Sequence, residues 1–300
     1  MAIGTVVARM WARVTIQHRA GLDDWLMLVS LAPTIGLIIG VGVANEKLFN
    51  RHIWDNKPSE WLSQRKITWA LELLYIISSG MVKASVLLFY RRMGFKSVSN
   101  VFRITTVVSL VSVVLFTTGY LFALFFSCSP LHAFWDQLNL AKVAGGFEYR
   151  CGNEFAHLLS AGIISTVQDF IATTLPAILC WNLQISLKQK IALYACFGFG
   201  YLVTIISAVR CYFTSYIFLD TYDVPWYAWY AWMLTALEVG IGTVSASIPA
   251  LKVFLKHVNG GIPLSSGYGA VSRMTKIMIS PIRKKESIDI ALDEGYTIPG

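Results

Sequence analysis

The feature that most constrains this chain is a series of apolar blocks, each about as long as a lipid bilayer is thick. A helix that crosses the hydrocarbon needs roughly 20 apolar residues. Six blocks reach that length: 25–44, 67–89, 101–126, 156–181, 191–216 and 226–254. Only 14% of the 300 residues are charged, against about 25% in a soluble domain, so the chain has too little polar surface for water. The spans must be helices, because a membrane barrel would show short alternating segments instead. A seventh block, 1–14, is interrupted by Arg9 and Arg13 and as a helix reaches only ~21 Å. It has neither a leading basic stretch nor a small-residue cleavage site, so it reads as the truncated inner end of a first helix rather than as a signal peptide. The expected fold is therefore all-α: a polytopic transmembrane helix bundle over 1–256, followed by a flexible cytosolic tail over 257–300.

Orientation follows from basic residues in the short connections. Arg9, Arg13, Arg19, Arg91, Arg92, Lys96, Arg103, Lys188, Lys190 and the basic residues from Lys252 onward fall on one side. They outnumber those on the other side by more than two to one, which makes the first side, with the C-terminus, cytosolic. The net charge of +8 thus reflects anchoring at the inner face and excludes nucleic acid as a partner, since no basic patch is interleaved with exposed aromatics. Trp226, Tyr227, Trp229, Tyr230 and Trp232 crowd the opposite end of the last span, where amphipathic rings favour the headgroup level. Cys128 and Cys151 bracket the longest outer loop and are a disulfide candidate in an oxidising compartment, the alternative being two free thiols. Cys180, Cys196 and Cys211 fall within spans and read as small packing residues. In the tail, Arg273 to Lys285 offers weak attraction to anionic lipid and Ser280 a phosphorylation site, against the plainer reading of a solvated segment.

The sharpest information is a short list of ionisable residues inside the spans: Glu72, Lys83, Asp169, Arg210 and Glu238. Each costs several kcal/mol in lipid unless it is paired or wetted. Glu72 and Lys83 share a face of one helix about 16 Å apart and cannot pair with each other. Ser165 and Thr173 flank Asp169, Ser207 and Thr214 flank Arg210, and Thr235, Gly242 and Ser245 share a stripe with Glu238. Each helix thus presents a polar seam that must face the interior. Arg210 is the expected cation for Glu238 or Asp169, Glu72 is expected in the same network, and Lys83 is expected to snorkel toward the cytosol. The seams read equally as glue between helices and as a ligand pocket or ion path. Gly36 and Gly40 are read as packing residues, and Pro33, Pro176 and Pro249 as kinks that widen a cavity.

These residues resemble the fungal rhodopsin-domain membrane proteins, which include the satratoxin-cluster integral membrane proteins and related fungal surface receptors. The likeness runs from about Val7 to Lys256. It rests on Gly21-Leu-Asp-Asp-Trp25, on Glu72 with Leu74 and Tyr75, on Val82 to Arg92, and on Cys128, Pro130, Trp135 and Cys151. Asp169 with Pro176, Arg210, and Trp232 with Glu238 and Pro249 complete the pattern. The resemblance implies a seven-helix, rhodopsin-like topology, from which this chain departs by having only part of the first helix. Retinal would need a lysine in the last helix, and none lies between Trp226 and Leu251, so no cofactor is expected.

Three functions are consistent with this reading. A receptor-like protein would bind a small molecule among Asp169, Arg210 and Glu238 and engage a cytosolic signalling partner near Arg91, Arg92 and Lys188 in the plasma membrane. A transporter or channel would use the same carboxylates for protons or a solute, although neither an internal repeat nor paired broken helices are evident. An accessory role in a secondary-metabolite pathway follows from the family resemblance. Enzymatic chemistry is not expected: the five histidines are scattered, no H-E-x-x-H or G-x-S-x-G motif occurs, and His132, Asp136 and His157 lack metal-ligand spacing.

Overall fold

Several helices in this chain start where the sequence supplies a proline or an acidic first turn. In the computed structural model, which describes residues 1–16, 18, 20–93, 100–181 and 187–258, α1 (Ala2–Trp11) runs into one π-helical turn (Ala12–Ile16). Helix α2 (Leu22–Lys47) opens with Asp23 and Asp24, acids that complement the positive end of the helix dipole. Helix α3 (Pro58–Met93) opens on a proline, whose missing N–H is no loss at the first helical position. Helix α4 (Asn100–Phe125) leads to two-residue strands β1 (Cys128–Ser129) and β2 (Arg150–Cys151), which pair antiparallel around the short helices α5 (Ala133–Asp136) and α6 (Leu140–Ala144). Helices α7 (Glu154–Trp181), α8 (Leu187–Leu219) and α9 (Val224–Val258) complete the bundle.

Six of these helices, α2, α3, α4, α7, α8 and α9, are long and apolar enough to cross a bilayer. They correspond to the six expected blocks, with one clear difference. The second span, expected over 67–89, belongs to a 36-residue helix, because the polar stretch Pro58 to Lys66 continues the helix past the apolar block. Helix α1 is too short to span and packs against α9 and α2. The expected tail beyond Val258 lies outside the described residues.

Packing closes the helices into a ring, α2 to α3 to α4 to α7 to α8 to α9 and back to α2, with α3 also touching α7 and α9. Helix α3 is therefore the axis and α4 the periphery. Val101, Ile104, Val108, Leu115 and Phe122 of α4 point outward, whereas Ser78, Lys83 and Ser85 of α3 are buried. Apolar side chains facing out and polar ones facing in is the arrangement lipid demands, since hydrocarbon offers no hydrogen-bond partner. Gly40 lets α2 approach α3, because a Cβ there would lie 2.8 Å from Leu71 Cδ2. Gly162 does the same between α7 and α8, where a Cβ would meet Cys211 Sγ at 2.7 Å.

Candidate functional site

The intramembrane charges meet in pairs rather than in one cluster. Arg210 on α8 donates from Nε to Glu238 Oε2 on α9 at 2.9 Å and from Nη2 to the Tyr75 hydroxyl on α3 at 2.8 Å. Tyr75 in turn donates to Glu238 Oε1 at 2.9 Å, and its ring lies 4.8 Å from the guanidinium carbon. Three helices are thus fastened by one planar fork, the geometry for which arginine is suited. Ser165 on α7 extends the chain: its hydroxyl lies 2.9 Å from Tyr75 Oη and 2.7 Å from Lys83 Nζ. Lys83 also donates to the Ser165 carbonyl at 2.9 Å and pairs with Asp169 Oδ1 at 3.2 Å. An unbroken polar path therefore runs from Glu238 through Tyr75 and Ser165 to Asp169.

Two details differ from the sequence expectation. Lys83 does not snorkel: it is 8% exposed, because α7 and α9 flank its helix and a carboxylate and a carbonyl lie within reach. Glu72 does not join the network. It is 4% exposed, and its Oε1 has no hydrogen-bond partner among the described residues. Instead it lines a cavity of about 580 Å³.

That cavity occupies the end of the bundle that carries the disulfide. Tyr75, Arg210 and Thr235 lie at its inner limit, Phe116, Ala161 and Trp232 are in its walls, and Gln137 and Leu138 lie above it. The segment above is held by the Cys128–Cys151 disulfide and by Arg65, which donates to the Phe134 carbonyl at 3.3 Å and binds Glu154 through two 2.7 Å contacts. His52 and Ile53 bind Asp223, tying the α2–α3 connection to the start of α9. Asp169 does not face this cavity; it lines a separate cleft of about 70 Å³ toward the opposite end, with Lys83, Ser245 and Ala246. Glu238 lies behind Arg210 and lines neither.

A second charged cluster, not singled out from the sequence, seals the opposite end. Arg9 donates from Nε to Asp24 Oδ1 at 2.9 Å, from Nη2 to Asp23 Oδ2 at 3.2 Å and from Nη1 to the Ala246 carbonyl at 2.8 Å. Arg92 reaches Asp23 and Asp24 at 3.1 and 3.4 Å, and Arg13 reaches Asp24 at 3.6 Å. Arg9 and Asp24 are 1% and 0% exposed. The signals for this cluster are a pair of adjacent acids at the edge of an apolar block and their place, with Arg92, in the motifs that carry the family resemblance. Of the residues assigned to the cytosolic face, Arg92 is thus engaged in ion pairs, and the side chain of Lys188 lies outside the described residues.

Comparison with known proteins now has a geometry to attach to. The model of the fungal rhodopsin domain matches residues 8–257. The chain belongs to that family. A wortmanamides biosynthesis cluster protein, protein C of Talaromyces wortmannii, is 25% identical over 265 residues, covering 85% of this chain and 68% of its own. A SAT4 family membrane protein of Emericella nidulans is 28% identical over 213 residues, covering 68% of this chain and 49% of its own. The chain therefore spans about half the length of the second relative. No solved structure matches it. This member of the fungal rhodopsin-domain family is a multi-pass membrane protein, and the residues that carried the resemblance include Asp23, Asp24, Lys83, Arg92, Asp169, Arg210, Glu238 and both cysteines of the disulfide.

Proposed function

We propose that this protein is a receptor-like sensor of a small molecule, placed in the plasma membrane with the disulfide end outward and the C-terminus in the cytosol. The observation that carries the reading is the cavity beneath the disulfide-held segment: its volume is in the range that holds drug-sized ligands, and Tyr75 on α3 and Arg210 on α8 connect its inner limit to α7 and α9. A ligand that bound one arrangement of these helices better than another would shift their equilibrium, and the polar path to Lys83 and Asp169 would carry the shift toward the inner end. A cytosolic partner would read it near Arg91 and Lys188. The protein has no enzymatic role in this reading and uses neither retinal nor nucleic acid.

A second reading rests on the relative from the wortmanamides biosynthesis cluster: the protein serves a pathway for a secondary metabolite, by transport or by sensing its product. One experiment separates sensing from transport. An environment-sensitive fluorophore on Arg91→Cys, in purified protein reconstituted into nanodiscs, is exposed to a library of small apolar amines, alcohols and acids. Sensing predicts a saturable fluorescence change that Ala161→Phe, which fills the cavity, removes. Saturable uptake of the active compound into proteoliposomes would instead establish transport.

A further inference from the structure

Among the described residues, every Asp, Glu, Lys or Arg at or behind the cavity pairs with an oppositely charged side chain except one. Arg65 is matched by Glu154 through two contacts of 2.7 Å, and Arg210 is matched by Glu238 at 2.9 Å. Lys83 and Asp169, farther in, match each other. Among these residues Glu72 alone forms no ion pair with the described residues, and its Oε1 lies buried without a hydrogen-bond donor among them. Glu72 is seven residues beyond Arg65, two helical turns or ~10 Å along the same face of α3, too far for that guanidinium to serve it while holding Glu154. A buried acceptor without a donor costs more than the hydrogen bond it forgoes. In this position it selects the chemistry of whatever enters.

Resting on the sensor reading above, we infer that the cavity takes a lipophilic amine whose ammonium group is held by Glu72. An ammonium supplies both what Glu72 lacks, a positive charge and N–H donors, whereas an acid would bring a second unmatched carboxyl group beside it. The remainder of the ligand is apolar or aromatic, because Phe116, Leu158, Ala161 and Trp232 form the walls. Trp232, whose ring type attracts cations, also lines the cavity. The inference assigns the ligand's polar end to α3 and its apolar body to the space between α4, α7 and α9.

The test uses the full chain in phosphatidylcholine nanodiscs and two fluorescent probes that differ at one terminus: dansylcadaverine, with a primary amine, and its hydroxyl analogue, the dansyl amide of 5-aminopentanol. The wild type should bind the amine at least about tenfold more tightly than the alcohol, the scale of a charge-assisted hydrogen bond in a dry site. Glu72→Gln should bring the two affinities together while retaining the alcohol, which shows that the cavity is still formed. Glu72→Asp keeps the charge and should keep the preference, so it carries the comparison where the glutamine variant fails to fold. Equal affinities in the wild type, no saturable binding of the amine, or a preference that survives Glu72→Gln would each overturn the assignment. Saturable alcohol binding that Ala161→Phe abolishes, with no amine advantage, would remove the ammonium and leave the sensor reading standing.

Discussion

The two ends of this bundle bury charge in opposite ways. At the end away from the disulfide, Asp23 and Asp24 are enclosed by Arg9, Arg13 and Arg92, and a backbone carbonyl takes a further donor from Arg9. At the disulfide end, Glu72 lines a cavity with an oxygen that no group among the described residues serves. The first arrangement closes the helices upon one another, since an ion pair so enclosed resists the loss of either partner. The second leaves an interaction to be completed from outside. Closure at one end and incompleteness at the other is how a helix bundle acquires a direction.

The largest effect should come from breaking the closed end. Asp24→Leu would leave Arg9 buried with one acceptor fewer, and removal of one partner from a buried pair costs about 3 to 5 kcal/mol. Unfolding by sodium dodecyl sulfate in mixed micelles should show that loss. Next in size is the tie across the disulfide end: replacing Cys128 and Cys151, 23 residues apart, with serine should cost about 3 kcal/mol by the same measurement. Between the ends, a double-variant cycle of Arg210→Met and Glu238→Leu should return a coupling of about 1 to 3 kcal/mol, the double variant losing less than the sum of the single ones. Glu72→Gln should change stability least, by about 0.5 kcal/mol or less, and in the stabilising direction, because it removes a charge and breaks no protein contact. A loss of several kcal/mol there would mean that Glu72 belongs to the packing and not to a binding site.

Much of this is legible in the amino-acid sequence because lipid imposes strict terms. Block length identifies the spans, and the need to pair intramembrane charge brings Arg210 to Glu238. What a single chain does not carry is the azimuth of each helix and which helix is central. Lys83 illustrates the gap: four methylenes suit it equally to reach an interface or to turn inward, and only the position of α3 among α7 and α9 selects Ser165 and Asp169. The same gap hides the inner cluster. Asp23 and Asp24 precede the apolar block that starts at Trp25, and Arg9 and Arg92 read as topology anchors until the fold places all four together. Glu72 is the reverse case, a charge expected to find a partner that the packing withholds.

Accessibility of engineered cysteines measures the contrast between the ends most directly. In a background with Cys180, Cys196 and Cys211 changed to serine, Ala231→Cys lies in the cavity wall and Ser245→Cys in the small inner cleft. A membrane-impermeant maleimide applied to intact cells should label Ala231→Cys, and Ser245→Cys should stay unlabelled until the membrane is opened. Equal labelling of both positions, or the reverse order, would contradict a bundle open at its disulfide end and shut at the other.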